Sequence, residues 1–252
     1  MILIDEPAPN VVRLRINRAE KRNAIDRGVR EAFIDALQSL APSTRALVIG
    51  GVGGTLSAGG DISTMSGMTE GEGRERMQHV HALCRLIARC PVPVVTALEG
   101  FAAGAAVGLA LLGDHVVVGE SSRLLFPFLR LGLAPDWGLL HTLPRRVGLS
   151  VARRLLVSGT IVDGAEALRL GLADEDVGTG DIAAAAVARA GELAQLPGDA
   201  FARMKARLAY PSATLDEEWP REEADQVALF ASADFAEGLA AFAEKRPARF
   251  VR

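Results

Sequence analysis

Residues 46–62, ALVIGGVGGTLSAGGDI, decide the architecture. The opening run, Ala46 to Gly50, is short and continuously apolar, as a strand covered on both faces must be. It leads into six glycines among the eleven residues from Gly50 to Gly60. That density costs chain entropy, so the backbone there needs unusual dihedrals or a close approach to something. A buried strand running into a glycine turn is the unit from which an α/β core is built.

Working outward, the same unit recurs. Upstream, Val12, Leu14 and Ile16 alternate with Arg13 and Arg15, the period-two signature of a half-solvated strand. Asp26 then stands as an N-cap before Val29, Phe33, Leu37 and Leu40, which recur at helical spacing. Downstream, residues 63–76 are rich in Gly, Met, Ser and Glu and read as a mobile loop that shapes the pocket. A helix over 77–88 follows, with Val80, Leu83, Cys84 and Ile87 on its apolar side. Residues 91–98 read as a strand whose prolines confine its start to an edge or bulge. Residues 100–113 are small and apolar all round, the pattern of a fully buried helix, and Val116 to Val118 and Leu124 to Phe126 read as strands. From Ser150 onward helical spacing dominates, with Ser150 and Asp163 at N-cap positions and an alanine-rich stretch from Asp181 to Leu196. The expected organisation is an α/β core over 1–190 that carries the ligand, and a helical oligomerisation region over 191–252.

Composition excludes several classes of function. The chain has 252 residues, 49% hydrophobic and 23% charged, and at this size a core forms without disulfides or metals. A net charge of −3 removes the diffuse attraction on which non-specific nucleic-acid binding depends. Asp5 and Glu6 stand where an export signal would carry basic and then apolar residues, and the longest apolar run, 101–112, falls short of a membrane span. A cytoplasmic protein without a membrane or nucleic-acid partner is the expectation. Cys84 and Cys90 fit neither a metal knuckle nor a redox pair and read as buried thiols. The four histidines show no ligand spacing, so no metal is expected.

The usual glycine motifs fail residue by residue. A dinucleotide fingerprint from Gly51 meets Leu56 at its last glycine, and a phosphate loop from Gly54 meets Gly60-Asp61 where Lys-Ser/Thr is required. A nucleophile elbow around Ser57 meets Thr55. A glycine turn can instead present backbone N–H groups to a developing negative charge, and two such turns exist, at Ser57–Asp61 and at Gly100–Ala105.

Six segments, INRAEKRNAI (16–25), LSAGGDI (56–62), EGFAAGAAVGLALLGD (99–114), LRLGLAPDWG (129–138), LPRRVG (143–148) and SADFAEGLAAFAEKR (232–246), resemble in order the enoyl-CoA hydratase/isomerase (crotonase) superfamily. The resemblance implies a spiral of ββα turns with a helical C-terminal region, a homotrimer or hexamer, and a coenzyme A thioester bound as substrate with no separate cofactor. It places the thioester oxygen between the N–H groups of Gly60 and Ala105. Ala58, Gly60, Asp61 and Ile62 match the strip along adenine and pantetheine, Arg22 and Ala24 match the mouth of the nucleotide pocket, and Phe128 and Trp137 fall among the substrate-contacting positions. Lys245 reads either as a reach toward a coenzyme A phosphate or as an exposed lysine.

The sequence departs from the hydratase pattern at its centre. The two glutamates that activate water in such hydratases correspond here to Gly108 and Phe128, neither of which moves a proton. The remaining acid is Asp136, in Ala134-Pro135-Asp136-Trp137-Gly138. It reads either as an N-cap of the next helix or as the acid/base of the branch resembling the ring-epoxide isomerase of phenylacetyl-CoA breakdown and related double-bond isomerases. The expected activity is a β,γ to α,β double-bond shift through one carboxylate. Hydration or thioester hydrolysis through Asp136 is the alternative, with Glu120 as the one other acid to consider, and a non-catalytic acyl-CoA binding protein is the alternative of another class.

Overall fold

A computed structural model describes residues 1–250; the last two positions of the expected C-terminal region lie outside the described residues. The strands are β1 (Ile2–Ala8), β2 (Val11–Ile16), β3 (Ala46–Gly51), β4 (Val94–Ala97), β5 (Phe101–Ala103), β6 (His115–Val118), β7 (Arg123–Leu125), β8 (Val162–Asp163) and β9 (Glu175–Asp176). The helices are α1 (Arg27–Gln38), α2 (Glu70–Ala88), α3 (Ala105–Leu111), α4 (Leu139–Ser158), α5 (Gly164–Leu170), α6 (Ile182–Leu193), α7 (Gly198–Ala209), α8 (Leu215–Phe230) and α9 (Ala233–Glu244).

The strands form one six-stranded sheet, in the order β1-β2-β3-β4-β6-β9, and one three-stranded sheet, β5-β7-β8. From β2 to β9 the large sheet is parallel. Each turn of chain leaves the large sheet, touches the small layer and returns through a helix. Thus β2 leads to Ile25, bridged to Gly60, and α1; β3 leads to Ser57, bridged to Ala102, and α2; β4 leads to β5 and α3. This is the ββα spiral that the resemblance implied.

Local chemistry accounts for the starts of the helices. Asp26, Asp163 and Asp181 each accept a hydrogen bond from the third residue on, as N-caps do. Thr69 and Glu72 close a reciprocal capping box that starts α2 seven residues earlier than the apolar spacing showed, so residues 70–76 are helical rather than a mobile loop. Four further expectations are corrected. Residues 101–103 are strand β5, and the buried helix begins only at Ala105, because Gly104, at φ 51°, breaks the run. The strand after Pro91 and Pro93 lies centrally between β3 and β6, since both prolines precede its first residue, Val94. Ser150 caps nothing: it sits inside α4, whose one break is at Gly148 (φ 76°, ψ 158°). Arg13 and Arg15 are half-buried rather than solvated, folded onto Asp5 of the added strand β1.

Helix α6 packs against β3, β4 and β6 of the large sheet, and α7 to α9 follow it as a chain of contacting helices. Lys205 ties α7 to the core, its buried ammonium 2.6 Å from Asp114 and 3.4 Å from the Val92 carbonyl. Among the described residues no helix is long and apolar enough to cross a membrane.

Candidate active site

The two glycine turns are laced together before anything binds. Ser57 N–H donates to Phe101 O (3.0 Å), Ala103 N–H donates to Ser57 O (3.2 Å), and Gly104 N–H donates to Leu125 O (2.9 Å). Gly59, at φ 93°, lies against Ala103: a Cβ there would overlap the Ala103 carbonyl oxygen and sit 3.7 Å from the Ala105 nitrogen. Only glycine permits that approach, and Gly59 was not among the residues singled out from sequence. Its signal was the glycine cluster itself.

Hydrogen bonding then singles out two amides. In the first turn, Ala58 N–H donates to Arg22 O (2.9 Å), Gly59 N–H to Ser57 Oγ (3.0 Å) and Asp61 N–H to Ile25 O (3.1 Å). Gly60 N–H has no acceptor among the described residues. In the second turn, Ala105 is the first residue of α3, so its N–H has no helical acceptor, and none is supplied from elsewhere in the described residues. Two unspent N–H groups, held on turns that touch through Gly59, form an arrangement able to stabilise an oxyanion.

The other residues expected at this edge are placed as follows. Arg22 ends a short 3₁₀ turn at φ 49° with its side chain exposed, and Ala24 is buried behind it. Between them Asn23, fully buried, donates to the carbonyls of Val52 (2.9 Å) and Thr55 (2.7 Å), clamping this loop to the glycine cluster; sequence reasoning missed it. Asp61 accepts from the Ser63 hydroxyl (2.6 Å) and pairs with Arg18 (3.4 Å), which together hold its carboxyl below the usual carboxylate range. Ala58 and Ile62 are exposed, so Arg22, Ala58 and Ile62 offer an open strip beside the Gly60 amide.

Phe128 is buried, its ring 3.5 Å from the Cβ position of Gly104, and it belongs to the core rather than to an open wall. Trp137 is also buried, at φ 53°, a left-handed conformation that costs a bulky residue on the order of 1–3 kcal/mol. Its Cβ occupies the space in front of Gly108. The positions of both expected glutamates are therefore filled with packed aromatic carbon.

Asp136 does not cap α4. That helix starts at Leu139 with Gly138 as N-cap and no side-chain capping bond, and it is the Asp136 carbonyl, not its carboxyl, that accepts the Leu139 N–H (3.0 Å). The carboxyl is half-buried, and Oδ1 has no hydrogen-bond partner. Burial pushes its pKa above the usual aspartate value; its own N–H and the nearby Arg76 and His81 only partly oppose this. Nearby, burial and then the charge of Asp136 push the Cys84 thiol up to about 12, so it stays a protonated wall group. Glu120 is exposed and does not join the groups that bear on Asp136.

A cavity of about 810 Å³ lies beside these turns rather than on them. Among its walls are His81, Cys84, Gly138, His141 and Lys205. None of the residues expected from sequence to bind the ligand lines it, although Cys84 and Gly138 bring it to the flank of Asp136. The oxyanion turns, not this cavity, present the unspent Gly60 and Ala105 N–H groups.

Comparison with known proteins gives one consistent match. A sequence model of the family described as enoyl-CoA hydratase/isomerase matches residues 6–252. A protein of Rhodobacter capsulatus named "Probable enoyl-CoA hydratase" is 36% identical over 241 residues, covering 94% of this chain and 93% of its own. The crotonyl-CoA hydratase of Syntrophomonas wolfei is 30% identical, covering 99% of this chain and 97% of its own. The crystal structure of an enoyl-CoA hydratase from Polaromonas sp. JS666 superposes with a TM-score of 0.93 at 28% identity, covering 99% of each chain.

Proposed function

The chain belongs to the enoyl-CoA hydratase/isomerase family, and from that premise we propose that it is an isomerase moving a double bond from the β,γ to the α,β position of an enoyl-CoA. One observation supports this reading: the site holds one half-buried carboxyl, Asp136, whose Oδ1 has no partner, while Gly108 and Phe128 stand at the positions where the resemblance puts the hydratases' water-activating pair.

In this reading the thioester oxygen lies between Gly60 N–H and Ala105 N–H. The Asp136 carboxylate takes a proton from C2, the charge spreads over a dienolate held by the two amides, and the same carboxyl delivers the proton to C4. Atoms and electrons balance with one base and no oxidant, so coenzyme A enters only as part of the substrate. Desolvation suits the task, since a carboxylate with raised proton affinity is a stronger base than one in water. The residues toward the nucleotide end are Arg22, Ala24, Ala58, Asp61 and Ile62, with Phe128 and Trp137 as the packed back wall. We further assign the chain to a cytoplasmic homotrimer or hexamer acting in acyl-CoA or fatty-acid metabolism, with the helices after residue 190 supplying the contacts.

Hydration is the second reading, favoured by the names of the relatives. Absorbance at the conjugated enoyl-thioester band separates the two. With a β,γ-enoyl-CoA the signal rises if the chain isomerises; with an α,β-enoyl-CoA it falls if the chain adds water. A rise with the first and no fall with the second supports isomerisation, and a fall with the second overturns it. Coenzyme A thioester binding without either change would identify a binding protein.

A further inference from the structure

Arg76, on α2, is a cation without an anion. Its Nη2 lies 3.5 Å from the Cβ position of Gly60, and its one hydrogen bond is a long one, 3.4 Å, from Nη1 to Thr64 Oγ1. Among the described residues no carboxylate lies within ion-pair distance of it. Its neighbours differ: Arg18 pairs with Asp26 and Asp61, Arg27 with Glu31 and Glu75, and Arg74 with Glu70. A second guanidinium close by, Arg30, is 3% exposed, gives its Nε–H to His79 Nδ1 (3.1 Å) and leaves Nη1 without a partner. The positive charges of Arg30 and Arg76 oppose one another. In a chain of net charge −3, a guanidinium without an ion pair beside the Gly60 turn, with the charge of Arg30 adding to its own, is a place where an anion from outside is favoured.

The position of Arg76 decides which part of a ligand supplies that anion. A coenzyme A thioester carries its phosphates at the far end of the pantetheine arm from its sulfur. Arg76 stands instead beside Gly60, whose N–H faces the thioester oxygen in the reading above, and its charge reaches Asp136, the proton carrier. The anion therefore belongs to the acyl end.

We propose that the acyl group itself carries a carboxylate, so that the substrates are coenzyme A monothioesters of short unsaturated dicarboxylic acids, with the free carboxylate held by Arg76. This rests on the acyl-CoA reading of the two turns but not on the choice of reaction. A guanidinium–carboxylate contact of this kind shifts affinity by about tenfold to a hundredfold.

The test is binding of two saturated thioesters that can neither isomerise nor hydrate, glutaryl-CoA and pentanoyl-CoA, by isothermal titration calorimetry on the full chain. Wild type is expected to prefer glutaryl-CoA by tenfold or more, Arg76→Met to bring the ratio close to one, and Arg76→Lys to keep part of it, with melting temperatures confirming that both variants are folded. A wild-type ratio near one, or a preference that survives Arg76→Met, overturns the proposal. If neither thioester binds, the acyl-CoA reading fails and the proposal fails with it. If the ratio behaves as expected while no double-bond shift is found, only the isomerase reading falls.

Discussion

Trp137 fills the space in front of Gly108: a Cβ on Gly108 would overlap the Trp137 Cβ and stand 3.1 Å from the Trp137 carbonyl oxygen. Position 108 is thus closed to any side chain, and a carboxylate placed there cannot reach a substrate without moving the indole. Gly108→Glu is therefore expected to lose stability rather than to gain hydratase activity. Overpacking of this kind costs about 1–3 kcal/mol. Thermal unfolding of Gly108→Ala, Trp137→Gly and the double variant measures it, with the double variant less destabilised than the sum of the singles because Trp137→Gly removes the Cβ that the added methyl at position 108 would meet.

The Ala105 N–H can be removed with little disturbance, because proline is tolerated at the first position of a helix. Ala105→Pro is expected to lower kcat by ~10²–10³ while the helical circular-dichroism signal persists. Unchanged kcat in a folded variant would remove Ala105 from the oxyanion site.

The desolvated carboxyl of Asp136 gives two opposite pH effects. As a base it acts only when ionised, so the acid limb of kcat/KM is expected above the ordinary aspartate value of about 3.9. For stability, the folded state binds this proton more tightly than the unfolded chain, so Asp136 lowers stability as pH rises from the ordinary value through the raised one. Asp136→Asn is accordingly expected to melt at or above wild type at pH 7, with the difference shrinking below pH ~4, where both states of the wild type are protonated. Differential scanning calorimetry at the two pH values checks this.

Lys205 and Asp114 form a largely buried ion pair that fixes α7 to the strands. Lys205→Met leaves Asp114 uncompensated and is expected to cost about 3 kcal/mol in urea unfolding. Adding Asp114→Asn to that variant is expected to return part of the loss.

Sequence alone shows much of the fold and only the outline of the site. The helices after Asp26, Asp163 and Asp181 and the strand at residues 46–50 were legible because caps and periodicity are local signals. Strand β5 was hidden in residues 100–113, since glycine and alanine on every side carry no period, and the break at Gly104 shows only in its dihedrals. The early start of α2 rested on a capping box set in a stretch of glycines and glutamates that resembles a loop. In the site, the two donor turns could be named from their glycines. The exclusion of a cap role for Asp136 depends on the backbone dihedrals that make Gly138 the N-cap, and the closure of position 108 and the missing partner of Arg76 depend on residues separated in sequence, so only the folded chain reveals them.

The central claim, that one carboxyl carries the proton, is tested most directly by Asp136→Asn assayed on a β,γ-enoyl-CoA at saturating concentration, with thioester affinity measured in parallel. The account predicts at least ~10²-fold loss of kcat with affinity and fold retained. A variant that still shifts the double bond at near wild-type rate would contradict it and place the proton on another group.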